Sequence, residues 1–304
     1  MVKQEQTLGT YQSSQYGKEL FVAPAKGCKT TTIIAQTLGV SLGQESGGVV
    51  DKPDNLHIIS FDAAAIAGVF KFLTDHMGAS KEIHKVHIEN LQEIAKAAFT
   101  EPSDYGSTFM QTLQETIAKI QGRCQKNGIH VVMFSSFTMC AKAILRSISG
   151  PAFRVNNGKM FKSPMDQNKW NLLKQIMTEL QWQVQQDNYH TFWEGHYGEK
   201  TSKETDGGGN PMTYDTINVD GNTAKTFPAQ VERVWEINRS PMKHKDKNNK
   251  ETKVNIMSFN PFPKFDFGDG MVGRGVTGVL TEKETDITMA FHKLGLKIGQ
   301  WGAE

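Results

Sequence analysis

The sequence predicts an α/β domain: a mostly parallel central sheet with helices covering both faces. Two observations predict it. Short apolar runs at 20–22, 56–61 and 129–134 have the length of buried strands, and each ends in a polar turn. Between and after them lie stretches with helical apolar spacing, and strands alternating with helices make parallel sheets. At 304 residues and 38% hydrophobic, the chain can bury one large core.

Taken in order, the first strand, Leu20 to Val22, leads through a tight loop to Ile33, Ile34 and Leu38 at helical spacing, with Gly39 as the stop. Segments 46–48 and 51–55 read as loop. The second strand, 56–61, ends at Asp62, and 63–73, 91–99 and 108–121 read as helices. Gly128 resets the chain before the third strand, which a Ser-Ser turn follows. Segment 149–167, rich in Gly, Asn and Pro, reads as a mobile loop. Trp170, Leu173, Ile176, Met177 and Leu180 then share one helix face. Further strands are expected near 189–193, 231–237 and 254–259, separated by a Gly-rich loop at 203–213 and a basic loop at 239–253. No internal repeat is visible, so the reading is one domain spanning 1–304 with its core at about 19–296.

Composition narrows the function classes. A net charge of +2 means that any basic surface for nucleic acid must be local. Cys28, Cys124 and Cys140 lack the spacing of a zinc site or disulfide framework, which favours a reducing compartment, the cytoplasm. The N-terminus is polar, and no segment approaches the ~18 apolar residues of a membrane span, so no membrane partner is expected.

The most informative segment is 19–32, ELFVAPAKGCKTTT: a buried strand, a tight loop, then a lysine and threonines opening a helix. This is the layout of a phosphate-binding loop, where backbone N–H groups and a helix N-terminus surround anionic oxygens. Ala25, Lys26, Gly27 and Cys28 would form the loop, and Lys29 would reach the β/γ-phosphates. Thr30 would contact Mg²⁺, with Thr31 beside it. The usual G-x-x-x-x-G-K-[ST] pattern has glycines where Ala23 and Cys28 stand. An ordinary strand–turn–helix with an exposed lysine is the plainer alternative. A thiol at Cys28 would be acidified by the helix N-terminus, Lys26 and Lys29, and its side chain would crowd an approaching phosphate.

With these elements in this order, the chain resembles the RecA/AAA-like P-loop ATPases of phage genomes, particularly small single-domain members associated with DNA recombination. The resemblance runs over about 19–296. It is carried by Pro24-Ala-Lys-Gly-Cys-Lys-Thr-Thr31 and by Trp170-Asn171-Leu172 opening a long helix. Glu194-Gly195-His196 closing a strand and Gly273-Arg274-Gly275 before Leu280 add to it. The resemblance implies a RecA-like fold, ATP and Mg²⁺ as cofactors, single-stranded DNA as a partner and a homo-oligomer in the host cytoplasm. It also implies that Lys26 adds charge over the phosphates, that His196 senses the γ-phosphate and that Arg274 reaches a phosphate.

One departure bears on activity. In the family, the strand equivalent to 130–134 ends in an aspartate that holds the Mg²⁺ water shell, whereas this chain reads Phe134-Ser135-Ser136. Asp62 and Glu194, at predicted strand ends, could orient an attacking water; the plainer roles are a helix cap for Asp62 and a loop acid for Glu194. Arg154 and Lys159 in one loop, and Lys243, Lys245 and Lys247 in another, are the candidate DNA contacts; a solvated charged loop is the alternative. The expectation is an ATP-dependent factor in phage DNA recombination or replication. A pseudo-ATPase serving as an interaction module, and a P-loop kinase of a small substrate, are the competing readings.

Overall fold

A computed structural model describes residues 16–24, 29–41, 48–49, 55–127, 131–150, 153–156, 159–162, 167–185, 189–205, 207–219, 223–245 and 251–260. Its centre is six parallel strands. In spatial order these are β11 (Arg233–Lys245), β1 (Lys18–Ala23), β9 (His190–Thr205), β6 (Val131–Ser135), β4 (Leu56–Ser60) and β5 (Val86–Asn90). Two antiparallel strands extend it: β12 (Glu251–Asn260) on β11 and β10 (Pro211–Ile217) on the far end of β9. Small separate pairs are formed by β2 (Val40–Ser41) with β3 (Gly48–Val49), and by β7 (Phe153–Asn156) with β8 (Lys159–Lys162).

Side-chain alternation along the strands sorts the core into two layers. Phe21 and Ala23 of β1, Ile58 of β4, Met133 of β6 and Phe192 of β9 face α1 (Lys29–Thr37) and α2 (Ala63–Met77). Leu20, Val22, Ile59, Phe134 and Trp193 face the opposite layer. That layer consists of α3 (Gln92–Thr100), α4 (Pro102–Asn127), α5 (Phe137–Ser149), α6 (Gln167–Val184) and α7 (Thr223–Ala229). Helices on both faces of a largely parallel sheet are what the sequence predicts. On α6 the expected stripe is the packed one: Leu173, Met177 and Leu180 are buried, and Trp170 and Ile176 lean against the core. Helix α1 closes at Gly39 (φ 67°), a left-handed position where an L side chain would be strained.

The three segments read as mobile loops contain strands. Within 149–167 lies the β7–β8 hairpin; β9 runs to Thr205 and β10 starts at Pro211; β11 runs to Lys245 and β12 starts at Glu251. Backbone hydrogen bonds pair these strands within hairpins, and such pairing needs no continuous apolar run in the sequence. The edge strand β5 went unread for a similar reason: its VHIEN residues are half-buried or exposed.

The opposite end of β1 is anchored by a buried ion pair. Glu19 is fully buried; it accepts from Arg233 Nη2 at 2.8 Å and from the Trp235 indole Nε1, and Arg233 also pairs with Glu232 at 2.9 Å. This ties β1 to β11 in register at the sheet's amino edge and leaves the carboxyl edge open.

Candidate functional site

At the carboxyl edge of β1, where ligands of open parallel sheets bind, a cleft of about 320 Å³ opens between α1, α2 and the strand ends. Lys29, Thr30 and Thr31 of α1, Asp62, Ala65 and Val69 of the β4–α2 segment, Ser135 and Ser136 after β6, and Glu194 and His196 of β9 line it. No acidic residue sits in the first turn of α1, so no carboxylate on the helix itself offsets the positive end of its dipole at the cleft.

The alternation that sorts the core also delivers the site. Residues 192, 194 and 196 of β9 share the α1 face: Phe192 packs in the core, and Glu194 and His196 emerge where the sheet ends. In register, Glu194 lies beside Phe21 of β1 and His196 beside Ala23. Phe134 pairs with Trp193, which places Ser135 level with Glu194 on the other flank. Lys29 and Thr30 descend onto this row from α1.

Glu194 is the centre of the cluster. It is 4% exposed, and its Oε1 accepts a hydrogen bond from the Thr30 hydroxyl at 2.8 Å and lies 3.9 Å from Lys29 Nζ. Oε2 is buried and has no hydrogen-bond partner. Burial pushes its acidity constant up; Lys29 and the Ser135 and Thr30 hydroxyls oppose this, and Asp62 adds to it. Lys29 is itself 3% exposed and reaches the Pro24 carbonyl at 3.4 Å. The plainer sequence readings thus fail for both residues: Lys29 is a buried lysine and Glu194 a buried strand acid.

Asp62 has the capping role. Its Oδ1 accepts from the Ala65 N–H at 3.2 Å and starts α2, while the residue stays exposed on the cleft. His196 is half-buried, with its backbone N–H on the Thr138 hydroxyl at 3.1 Å. Burial, with Lys29 and Lys142, lowers its imidazole to about 4 against the opposing pull of Asp62. It therefore faces the cleft as a neutral ring with one N–H donor. His190, at the start of the same strand, is fully buried and accepts from the Gly17 N–H at 2.8 Å.

Phe134 stands on the other side of the sheet. Its ring packs 4.4 Å from Trp193 and 6.1 Å from Phe61 in the α3–α7 layer, so Ser135 and Ser136, not Phe134, are the β6 residues on the cleft. Sequence reading passed over this pair because a Ser-Ser turn carries no signal of its own; the alternation of β6 would have found Ser135. Both serines are buried, the peptide between them is cis, and Ser136 Oγ has no hydrogen-bond partner.

Four of the other expected site residues lie on hairpins. Arg154 and Lys159 lie on the β7–β8 hairpin, Lys159 in register with Asn156. Lys243 and Lys245 lie on β11 opposite Lys253 and Glu251. Ala25, Lys26, Gly27, Cys28, Lys247 and Arg274 fall outside the described residues. Cys124 and Cys140 are free, buried thiols, and burial raises both, Cys124 to about 12.

Among the described residues no group of three or more His, Cys, Asp or Glu side chains could hold a metal alone. The donors present, one hydroxyl and one buried carboxylate beside a lysine, suit a cation that arrives with its own oxygen ligands. Among the described residues, no helix is long and apolar enough to cross a membrane. No protein-family model matches the chain, and no curated protein matches it.

Proposed function

We propose that this chain is a nucleotide-binding protein of the RecA/AAA-like P-loop type, taking ATP with Mg²⁺ in the cleft at the end of β1. The observation that carries the reading is the placement of Lys29 and Thr30. They open α1 directly after a buried parallel strand and stand over a buried carboxylate at the sheet's carboxyl edge. In this reading the N-terminus of α1 and Lys29 bind the β- and γ-phosphates, and the Thr31 hydroxyl lines the same wall. Neutral His196 offers its N–H to the terminal phosphate. Asp62, exposed at the rim, orients the attacking water while its Oδ1 holds the α2 cap. Mg²⁺ would neutralise charge on the phosphate oxygens when bound.

On the same resemblance, the nucleotide serves an ATP-dependent step on single-stranded DNA in phage recombination or replication, with the protein acting as a homo-oligomer. Strands β9 and β11, which flank β1, run on past His196 and Glu236 into paired extensions, and Lys243 and Lys245 sit on the second of these. The second reading, a pseudo-ATPase kept as an interaction module, draws on the absence of a carboxylate from β6 at Phe134-Ser135.

The test is steady-state ATP turnover by the full chain with Mg²⁺, with and without single-stranded DNA, beside Lys29→Ala. Turnover that rises with DNA and disappears in the variant supports the ATPase. ATP binding without turnover supports the pseudo-ATPase, and the absence of both binding and turnover overturns the nucleotide reading.

A further inference from the structure

Two buried polar atoms in the cleft are unpartnered, one on β9 and one just past the end of the neighbouring strand β6. Glu194 Oε2 on β9 has no hydrogen-bond partner, and neither does Ser136 Oγ after β6; each residue is 4% exposed, and both line the cleft that Lys29 and Thr30 enter. Leaving such atoms unpaired is costly, and a water or ion that completes the set is one of the few physical reasons a native structure leaves them so. Glu194 also touches the hydroxyl that a phosphate-loop threonine offers to a cation: Thr30 Oγ1 to Glu194 Oε1 is 2.8 Å.

We infer that Glu194, on the strand next to β1, is the carboxylate that holds the divalent cation accompanying the phosphates, with Thr30 as its hydroxyl partner and Ser136 as a hydrogen-bond acceptor for the cation's water. The inference rests on the nucleotide reading above. It assigns to β9 a task for which β6 has no acid, and the register makes the exchange geometrically small. Ser135 and Glu194 are level on adjacent parallel strands, whose axes lie about 4.8 Å apart. A carboxylate on β9 therefore reaches the place where one on β6 would have pointed, and its longer side chain offsets the step.

The chemistry also accounts for a site that has no protein-only metal cluster among the described residues. Mg²⁺ demands octahedral oxygen ligands, keeps several waters and is held by one or two carboxylates plus substrate phosphates. One buried carboxylate and one hydroxyl make a cation site only once phosphate oxygens are present. Without them, Lys29 and Thr30 both rest on Glu194, so the carboxylate is compensated and α1 stays docked. Bound phosphate would draw Lys29 away and leave both Glu194 oxygens facing the cleft.

The test uses Mn²⁺, read by electron paramagnetic resonance, on the full chain with and without ATP, and ATP binding in EDTA as a separate measurement. Wild type is expected to bind Mn²⁺ only when ATP is present. Glu194→Gln, nearly isosteric and uncharged, should bind ATP in EDTA at wild-type affinity or tighter and lose about 10- to 100-fold in Mn²⁺ affinity. Thr30→Val should lose Mn²⁺ affinity in the same way, which guards against a folding defect particular to position 194. Unchanged Mn²⁺ affinity in Glu194→Gln overturns the inference and leaves the nucleotide reading standing. So does an equal loss of Mn²⁺ and metal-free ATP binding, which would make Glu194 a structural support. Absence of ATP binding by wild type in either condition overturns both.

Discussion

Thr30 and Glu194, 164 residues apart, are joined by a 2.8 Å hydrogen bond from the threonine hydroxyl to Oε1, and this bond pins the first turn of α1 to the end of β9. It links the helix that follows the first strand to the strand that fills the gap between β1 and β6. The bond holds a buried carboxylate whose cationic neighbour is Lys29, at 3.9 Å.

Removing the donor should therefore cost more than an average hydrogen bond. Thr30→Val takes the hydroxyl from Glu194 Oε1 and should destabilise the fold by about 1–3 kcal/mol. Thr30→Ser, which keeps the hydroxyl, should recover most of it. Urea unfolding of the three proteins checks this, and equal midpoints for valine and serine would show that the bond contributes nothing.

His57 gives the fold an acid limit. It is fully buried on β4, both ring nitrogens lack a hydrogen-bond partner, and its ring stacks 6.3 Å from that of His87. Burial first, then the charges of Arg123 and His87, lower its imidazole from 6.5 to about 4. The folded state thus binds fewer protons than the unfolded chain between these values. The stability this gives is fully present above pH 6.5 and is lost as pH falls towards 4, up to about 3 kcal/mol. His57→Leu, which needs no partner, should flatten that limb of a stability-versus-pH profile while leaving neutral-pH stability level or improved. An unaltered slope between pH 6.5 and 4 would assign the acid limb to other groups.

The observed cap made by Asp62 and the role on water proposed for it can be separated by substitution. Asp62→Ala removes the α2 cap and should cost about 1 kcal/mol, whereas Asp62→Asn, an equally good cap, should stay within about 0.5 kcal/mol of wild type. If Asp62 also orients water, Asn should lower ATP turnover without changing ATP affinity. Comparing unfolding midpoints with kcat and Kd for the pair reads both roles.

The sequence shows how far local pattern carries. The layered α/β architecture was legible because Leu20–Val22, 56–61 and the α6 stripe are buried by nearest-neighbour periodicity alone. Gly39 ended α1 as its backbone freedom requires. The strand at 254–259 was legible and lies within β12, whereas β10 and the extensions of β9 past His196 and of β11 past Ile237 were not, since their pairing involves backbone groups that every residue carries. In the cleft, Lys29, Thr30 and Thr31 were visible from spacing. The burial of Glu194 was not, because it depends on β9 lying between β1 and β6, and strand order is a long-range property. Reading Phe134 as the site position of β6 was one residue off: alternation turns Phe134 onto Trp193 and Ser135 into the cleft.

The central claim is that Lys29 and the N-terminus of α1 bind the phosphates of a nucleotide, and titration calorimetry of ATP into the full chain, beside Lys29→Ala, tests it most directly. The account predicts saturable one-to-one binding by wild type and an affinity about 10- to 100-fold weaker in the variant, as expected for losing a charge-assisted contact to phosphate. No saturable binding by wild type, or equal affinity in the two proteins, would contradict it.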